Sequence, residues 1–150
     1  GEGAPRPSAA GGEVTAAVRI TVQVRRLRDA HLVFEAGAVV DFSAAAGEGA
    51  LADLLATDDG AKRLGELGVG MNRGITRPTD NVLFDEKMAG TVHLALGRAY
   101  EACLPAGESG TESAIHTDLI TRMGEGSRLV VDDAVIQRDG LFRWEDGFDA

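Results

Sequence analysis

Two of the three histidines in this chain lie in short apolar runs that favour β-strands. His93 lies in TVHLALG, and His116 lies in SAIHTDLI, where Asp118 follows two residues later. Residues i and i+2 of a strand point to the same side with Cα atoms about 6.5–7 Å apart, so His116 and Asp118 can reach one ion. Two imidazoles and a carboxylate form the facial triad of non-haem Fe(II) oxygenases and also half of a two-zinc site. A simple hydrogen-bonded pair on a half-exposed strand is the alternative, which the spacing alone leaves open.

The elements that must position these residues are mostly strands. Alternating apolar residues predict a half-buried strand over 14–24, and HLVFEAGAVVDF predicts a hairpin that turns near Ala36–Gly37. GEGALADLLATDDGAKRLGEL is typical of helix, with Asp58 or Asp59 capping a second short helix that runs through Leu67. NVLFDEKMAG predicts a helical turn, TVHLALG and SAIHTDLITRM predict strands, and SRLVVDDAVIQRDGLF predicts a closing hairpin. This order predicts an α+β fold: a strand-rich single domain with a mostly antiparallel, barrel-like sheet and a short helical middle.

Composition limits the classes of function. The chain has 150 residues, 44% of them hydrophobic, which is enough for a domain with its own core. A net charge of -9 argues against nucleic acid as a partner, and no apolar run approaches the length of a membrane span. The single cysteine, Cys103, excludes an internal disulfide framework and favours a reducing compartment, which we interpret as the cytoplasm. Residues 1–12 are predicted to be disordered, 13–144 to form the domain and 145–150 to form an acidic tail.

Three segments resemble one family in that family's own order. RLGELGVGMNRGI, NVLFDEKMAGTVHLALGRAY and ESAIHTDLI are similar to the C-terminal part of the thermophilic-type (AmpS/AmpT-like) aminopeptidases. The resemblance runs from about Leu32 to Phe142 and extends to the related iron-dependent dihydroxypyridine dioxygenases. It implies that two divalent metals are bound by Glu66, His93, His116 and Asp118, and that catalysis involves Glu86 and Tyr100. It also offers a further ligand, Glu13 in GGEVTAA, which so short a match leaves open.

The resemblance does not include the family's large N-terminal domain, and this departure divides the functional hypotheses. The preferred hypothesis is oxidative tailoring of a peptide-like substrate in natural-product biosynthesis, at one Fe(II) held by His93, His116 and Asp118. One alternative is a non-catalytic peptide-binding protein of a biosynthetic pathway. Another is a two-metal aminopeptidase-type hydrolase, with Glu86 as the base and a bridging carboxylate such as Glu66. The expected cofactor is a divalent metal, with Fe(II) preferred to Zn or Co.

The surface that the absent domain would cover predicts an oligomer. An uncovered apolar area and a long edge strand over 14–24 both favour pairing, so we expect a homodimer or a heterodimer with a homologous chain. Charged arginine side chains could instead prevent pairing at this strand edge, so that the protein stays a monomer. These residues are Arg19, Arg25, Arg26 and Arg28. The other expected partner is a peptide or amino-acid-like substrate, rather than nucleic acid or a membrane.

Overall fold

The computed structural model describes residues 2–3, 12–22, 25–79 and 81–148, with side-chain surroundings from residue 27 onward except at 103. This part of the chain is rich in strands and has two short α-helices, as predicted. The elements in chain order are β1 (Glu2–Gly3), β2 (Gly12–Val22), β3 (Arg25–Glu35), β4 (Ala38–Ala46), α1 (Glu48–Leu55), β5 (Leu64–Val69), α2 (Val82–Asp85), β6 (Thr91–Gly97), a 3-10 turn (Glu101–Cys103), β7 (His116–Arg122), β8 (Arg128–Val131), β9 (Ala134–Arg138) and β10 (Leu141–Phe142).

One sheet has the strand order β2-β3-β4 and is antiparallel throughout. Its β3–β4 hairpin turns at Ala36 and Gly37, whose φ angles of 48° and 75° both lie in the left-handed region. Two such residues form the tight turn whose twist matches that of paired strands. The hairpin predicted at this point is confirmed. The strand predicted over 14–24 corresponds to β2, and residues 23 and 24 lie outside the described part.

A second sheet, with the order β1-β5-β6-β7, carries most of the candidate site residues. Its strand β6 is flanked on both sides, and all seven of its residues are buried. A strand covered on both faces needs apolar or small side chains at successive positions, which explains the continuous apolar run TVHLALG. His93 is the exception in this run and is only 1% exposed. A buried imidazole of this kind needs polar partners, which the neighbouring strands must supply.

The second short helix predicted through Leu67 is wrong, because Leu64–Val69 forms the strand β5. Two leucines three residues apart resemble helical spacing, but Gly65 and Gly68 lie beside them, and glycine is a poor helix former. Strand pairing also requires that position 65 has no side chain, because a Cβ at Gly65 would lie 2.5 Å from the carbonyl oxygen of Gly97. Glycine in β5 therefore permits a close approach of backbones that helix propensity does not reveal.

The described chain divides into two compact units. The first comprises the described residues of 1–68 and 93–121, and the second those of 69–92 and 122–150. The apolar core of the first unit is formed by α1 and four strands, with Leu27, Ala30, Leu32, Phe34, Val39, Leu51, Leu54, Leu55, Leu94, Leu96 and Leu119. The three sheets of the described residues are open, so the barrel-like sheet expected from the sequence is wrong. The boundaries predicted at 12/13 and 144/145 stay a prediction.

The second unit contains α2 and the sheet β10-β9-β8. This sheet confirms the predicted closing hairpin, and α2 confirms the helical turn predicted in NVLFDEKMAG. The β8–β9 turn places Asp132 and Asp133 at φ angles of 49° and 64°. The Arg73 guanidinium donates to the Glu145 carboxylate, which also accepts the backbone N–H of Phe142.

Neither α-helix described here has the length and apolar character that crossing a membrane requires.

Candidate metal centre

Three neighbouring strands of one sheet bring four of the predicted site residues together. Glu66 lies on β5, His93 lies on β6, and His116 and Asp118 lie on β7, all within the first unit. The i, i+2 spacing of His116 and Asp118 places both on one side of β7. The cluster therefore follows from strand order together with the two-residue period of a strand.

Glu66 lies between the two histidines. Its Oε1 is 3.0 Å from His93 Nε2, and its Oε2 is 3.6 Å from His116 Nε2. The same His116 nitrogen is 3.7 Å from Asp118 Oδ1. The side chains of Glu66 and His93 are 5% and 1% exposed, whereas those of His116 and Asp118 are 18% and 15% exposed. The cluster thus has a buried end and an end that solvent reaches.

Two buried atoms of this cluster have unused lone pairs. A carboxylate only accepts hydrogen bonds, so His93 donates from Nε2 to Glu66 and, as a neutral imidazole, has a lone pair at Nδ1. Within the described residues, neither His93 Nδ1 nor Glu66 Oε2 has a hydrogen-bond partner. Leaving a buried polar atom unpaired costs about 1–3 kcal/mol. Cations that bind these lone pairs would remove this cost, so the residues present fit a metal site.

The distances agree with the same interpretation. Glu66, His116 and Asp118 each offer one ligand atom, and these atoms lie within 4.8 Å of one another. Tetrahedral zinc with bonds of about 2.0–2.2 Å holds its ligand atoms about 3.3–3.6 Å apart, close to the 3.6 and 3.7 Å measured from His116 Nε2. Ligand atoms of His93 and Asp118 also lie within 4.8 Å of each other. Asp118 is therefore close to both histidines, while Glu66 faces each of them with a different oxygen.

Gly68 is a feature of the centre that sequence reasoning missed. A Cβ at this position would lie 2.0 Å from His93 Cε1 and 2.2 Å from His93 Nε2. The imidazole therefore packs directly against the backbone of β5, with no room for a side chain. The available signal was a glycine inside a strand next to a proposed ligand, since such glycines mark close approaches.

The two residues implied in catalysis lie in different units. The ring of Tyr100 packs against His116, with 4.5 Å between ring centroids and 43° between planes, and Tyr100 is 51% exposed. Glu86 belongs to the second unit, where it follows α2 directly, is buried, and has its Oε1 3.1 Å from Lys87 Nζ. Glu13 pairs with Val33 through its backbone, but its side chain lies outside the described part, so its role as a ligand stays a prediction.

Asp58 anchors the segment that leads into β7. Its carboxylate accepts hydrogen bonds from Ala114 N at 2.7 Å, Ser113 Oγ at 2.8 Å and Ala61 N at 2.8 Å. The Ala114 N–H and then the Ser113 hydroxyl lower the pKa of Asp58, because both stabilise its ionised form. Ala114 is two residues before His116, so this carboxylate helps to fix where β7 begins. The sequence pattern had predicted Asp58 only as a helix cap.

Comparison with known proteins agrees with the resemblance found in the motifs. The family model for the thermophilic metalloprotease (M29) matches residues 3–132. Aminopeptidase 2 from Geobacillus stearothermophilus is 39% identical over 109 residues, covering 70% of this chain and 25% of that protein. Aminopeptidase T from Thermus aquaticus is 38% identical over 104 residues, covering 57% of this chain and 23% of that protein. The chain thus spans about a quarter of the length of these curated relatives.

Solved structures extend the comparison to the fold. Wild-type AmpT from Thermus thermophilus is similar with a TM-score of 0.74 and 30% identity, covering 93% of this chain and 38% of that one. A 2,5-dihydroxypyridine dioxygenase from Pseudomonas putida KT2440 is similar with a TM-score of 0.66 and 16% identity, covering 95% of this chain and 43% of that one. At 16% identity the second likeness shows the fold alone. Both relatives that the sequence motifs suggested are thereby confirmed as structural neighbours.

Proposed function

Because the chain belongs to the thermophilic metalloprotease (M29) family, we propose that it forms the metal-binding part of an aminopeptidase-type hydrolase with two divalent cations. The observation that carries the proposal is the pair of unused lone pairs on Glu66 Oε2 and His93 Nδ1, which are buried and belong to two different side chains. The proposed substrate is a peptide, by analogy with relatives named aminopeptidases. We further propose that residues 13–144 are the extent of this domain.

The donor set assigns a role to each side chain of the cluster. Glu66 Oε2, His116 Nε2 and Asp118 would hold one cation, and His93 Nδ1 with Asp118 would contribute to the second. Two divalent cations supply Lewis-acid chemistry, since they polarise a carbonyl and lower the pKa of water. Hydrolysis needs a Lewis acid and no change of oxidation state, so we place zinc or cobalt ahead of Fe(II).

The chain's own groups would orient the donors and the substrate. Glu66 Oε1 accepts the Nε2–H of His93 and so fixes which nitrogen of that ring is available for binding. The half-exposed Tyr100, packed on His116, would present its hydroxyl to a bound peptide. On the family resemblance, Glu86 is proposed as the base that takes a proton from the attacking water.

The oxidative hypothesis preferred from the sequence has less support. A facial triad needs His93, His116 and Asp118 around one ion, with positions left open for dioxygen and substrate. In this cluster the two imidazoles face opposite oxygens of Glu66, and that carboxylate would be a fourth donor. The dioxygenase neighbour supports a shared fold and nothing further. A protein that only binds a peptide would not need buried lone pairs without a hydrogen-bond partner, such as those of Glu66 Oε2 and His93 Nδ1.

Metal stoichiometry tests the proposal. Protein purified anaerobically, stripped with a chelator and titrated with Zn²⁺ or Co²⁺ should bind two ions per chain by native mass spectrometry. His116→Ala should retain one ion, because it removes a donor from only one of the two sets. His31→Ala is the matched control, since His31 lies on β3 in a different sheet and should leave both ions in place.

The other hypotheses make different predictions in the same experiment. One iron per chain, with oxygen consumed when a peptide is added, would support the oxidative hypothesis. No bound metal under any condition would support a peptide-binding role. Hydrolysis of aminoacyl p-nitroanilides that depends on Zn²⁺ or Co²⁺ is the expected activity, and its absence in metal-loaded protein would contradict the proposal.

A further inference from the structure

The main chain holds the ring of His116. Its Nδ1 lies 2.7 Å from the carbonyl oxygen of Arg98. A carbonyl only accepts hydrogen bonds, so Nδ1 must be the donor, and a neutral imidazole then has its lone pair at Nε2. That nitrogen is the one that lies 3.6 Å from Glu66 Oε2 and 3.7 Å from Asp118 Oδ1. The Arg98 carbonyl thereby selects which nitrogen of His116 faces the other donors.

The backbone around Arg98 leaves this carbonyl little freedom. The N–H of Arg98 donates to Ile115 O at 2.7 Å, and the N–H of Gly97 donates to Arg63 O at 2.8 Å. Gly97 has a φ of 102°, which L-residues with a side chain rarely adopt. A Cβ there would also lie 2.2 Å from the Ile115 carbonyl oxygen. The turn after β6 is therefore held by backbone hydrogen bonds to Arg63 and Ile115.

Gly65 forms the other side of this arrangement. A Cβ on Gly65 would lie 2.6 Å from the Arg98 carbonyl oxygen and 2.5 Å from the Gly97 carbonyl oxygen. Any side chain at position 65 would have to displace the peptide group that holds His116. Gly65 thus leaves space for the Arg98 carbonyl itself, and Gly97 leaves space for the Ile115 carbonyl that accepts the Arg98 N–H.

We propose that Gly65 and Gly97 are positioning residues for cation binding: they place the Arg98 carbonyl so that His116 adopts the Nδ1–H tautomer and presents Nε2 to the cation. The part that concerns the cation rests on the proposed function. The part that concerns the tautomer stands on the metal-free protein alone. Outer hydrogen bonds of this kind change metal affinity about 10–100-fold when they are lost.

The tautomer can be read directly by long-range ¹H–¹⁵N NMR on metal-free protein labelled at histidine, at a pH where the imidazoles are neutral. The chain has only three histidines, so His31→Ala and His93→Ala together assign the spectrum. We expect Nδ1–H for His116 and the opposite form, Nε2–H, for His93, which donates from Nε2 to Glu66. Nε2–H at His116 in the wild type would overturn the inference without any glycine variant.

Gly65→Ala tests the glycines. We expect the tautomer of His116 to shift toward Nε2–H and the affinity for Zn²⁺ to fall about 10–100-fold. Gly49→Ala is the control, because a Cβ at that position meets no atom within 4 Å. A folded Gly65→Ala protein whose tautomer is unchanged would overturn the role of the glycine, even if the affinity fell. If Gly65→Ala does not fold, the wild-type spectrum still decides the tautomer, and Gly97→Ala, read in the same way, decides the role of the glycines.

The two proposals fail separately. The expected tautomers in a protein that never binds Zn²⁺ would remove the proposed function and leave the orientation of His116 intact. Two bound ions in a protein whose His116 is Nε2–H would do the reverse.

Discussion

Replacing Gly68 by alanine tests whether close packing fixes His93. The added Cβ would lie 2.0 Å from His93 Cε1 and 2.2 Å from Nε2, whereas ordinary contact begins at 3.4 Å. The ring must therefore move by about 1.2–1.4 Å, the difference between these values. A shift of that size in a buried ring is expected to break the 3.0 Å hydrogen bond to Glu66, because such bonds weaken steeply beyond normal length.

Two terms set the size of the effect. Overpacking of a buried site costs about 1–3 kcal/mol. Loss of a hydrogen bond to a charged group costs about 1.5–3 kcal/mol. The two terms overlap, because the ring relieves the clash by giving up the bond, so we expect the free energy of unfolding to fall by about 2–4 kcal/mol. Metal affinity should fall about 10–100-fold, because His93 Nδ1 loses its orientation.

Urea unfolding of metal-free protein measures the first effect, and competition with a chromophoric chelator measures the second. Gly49→Ala is the control: Gly49 lies in α1 with open space around it, and alanine is favoured there by about 0.5–1 kcal/mol. A Gly68→Ala protein that unfolds at the wild-type urea concentration and binds metal with wild-type affinity would refute the packing of His93 on Gly68.

Three other predictions concern different parts of the molecule. In Asp58→Asn, the urea midpoint of unfolding should be lower than that of the wild type at pH 7, and the two midpoints should converge at acid pH. The lowered pKa of Asp58 contributes stability that is present above the unfolded pKa of 3.8 and is lost as the pH falls through the folded pKa. A constant difference between the two midpoints across this pH range would contradict the prediction. Tyr100→Phe keeps the ring on His116, so metal affinity should hold while hydrolysis slows about 100-fold; an unchanged rate would remove the hydroxyl from the mechanism. Light scattering should give twice the chain mass of 15.6 kDa, and a monomer mass at micromolar concentration would end the homodimer prediction.

Local patterns predicted the elements whose hydrogen bonds are local or whose period is clear. The turn at Ala36–Gly37 and the strands β6 and β7 were of this kind. Strand β5 was not, because Leu64 and Leu67 also fit a helix and the deciding interactions come from β6, about thirty residues away. Whether the sheets closed or stayed open depended on such distant pairings too, which is why the barrel-like expectation failed.

The candidate site also has features that the sequence predicted and features that it did not. The i, i+2 spacing of His116 and Asp118 could be read from one strand, whereas Glu66 entered only through family resemblance. The parts that fix the imidazoles left weaker signals. Gly68 directly follows the stretch that was interpreted as a helix ending at Leu67, so it was not recognised as a strand glycine. The Arg98 carbonyl belongs to the backbone, which every residue shares and no motif identifies.

The four donors lie on three adjacent strands, and this links cation affinity to strand register. A slip of one residue turns every side chain of a strand to the opposite face. On the ligand assignment proposed above, any slip of β5, β6 or β7 would scatter Glu66, His93 and the β7 pair, and only the native pairing would bind tightly. A cation present at 100 times its Kd during folding would favour that pairing by about 2.7 kcal/mol. Metal binding during folding would then select the native strand register of the sheet that carries the site.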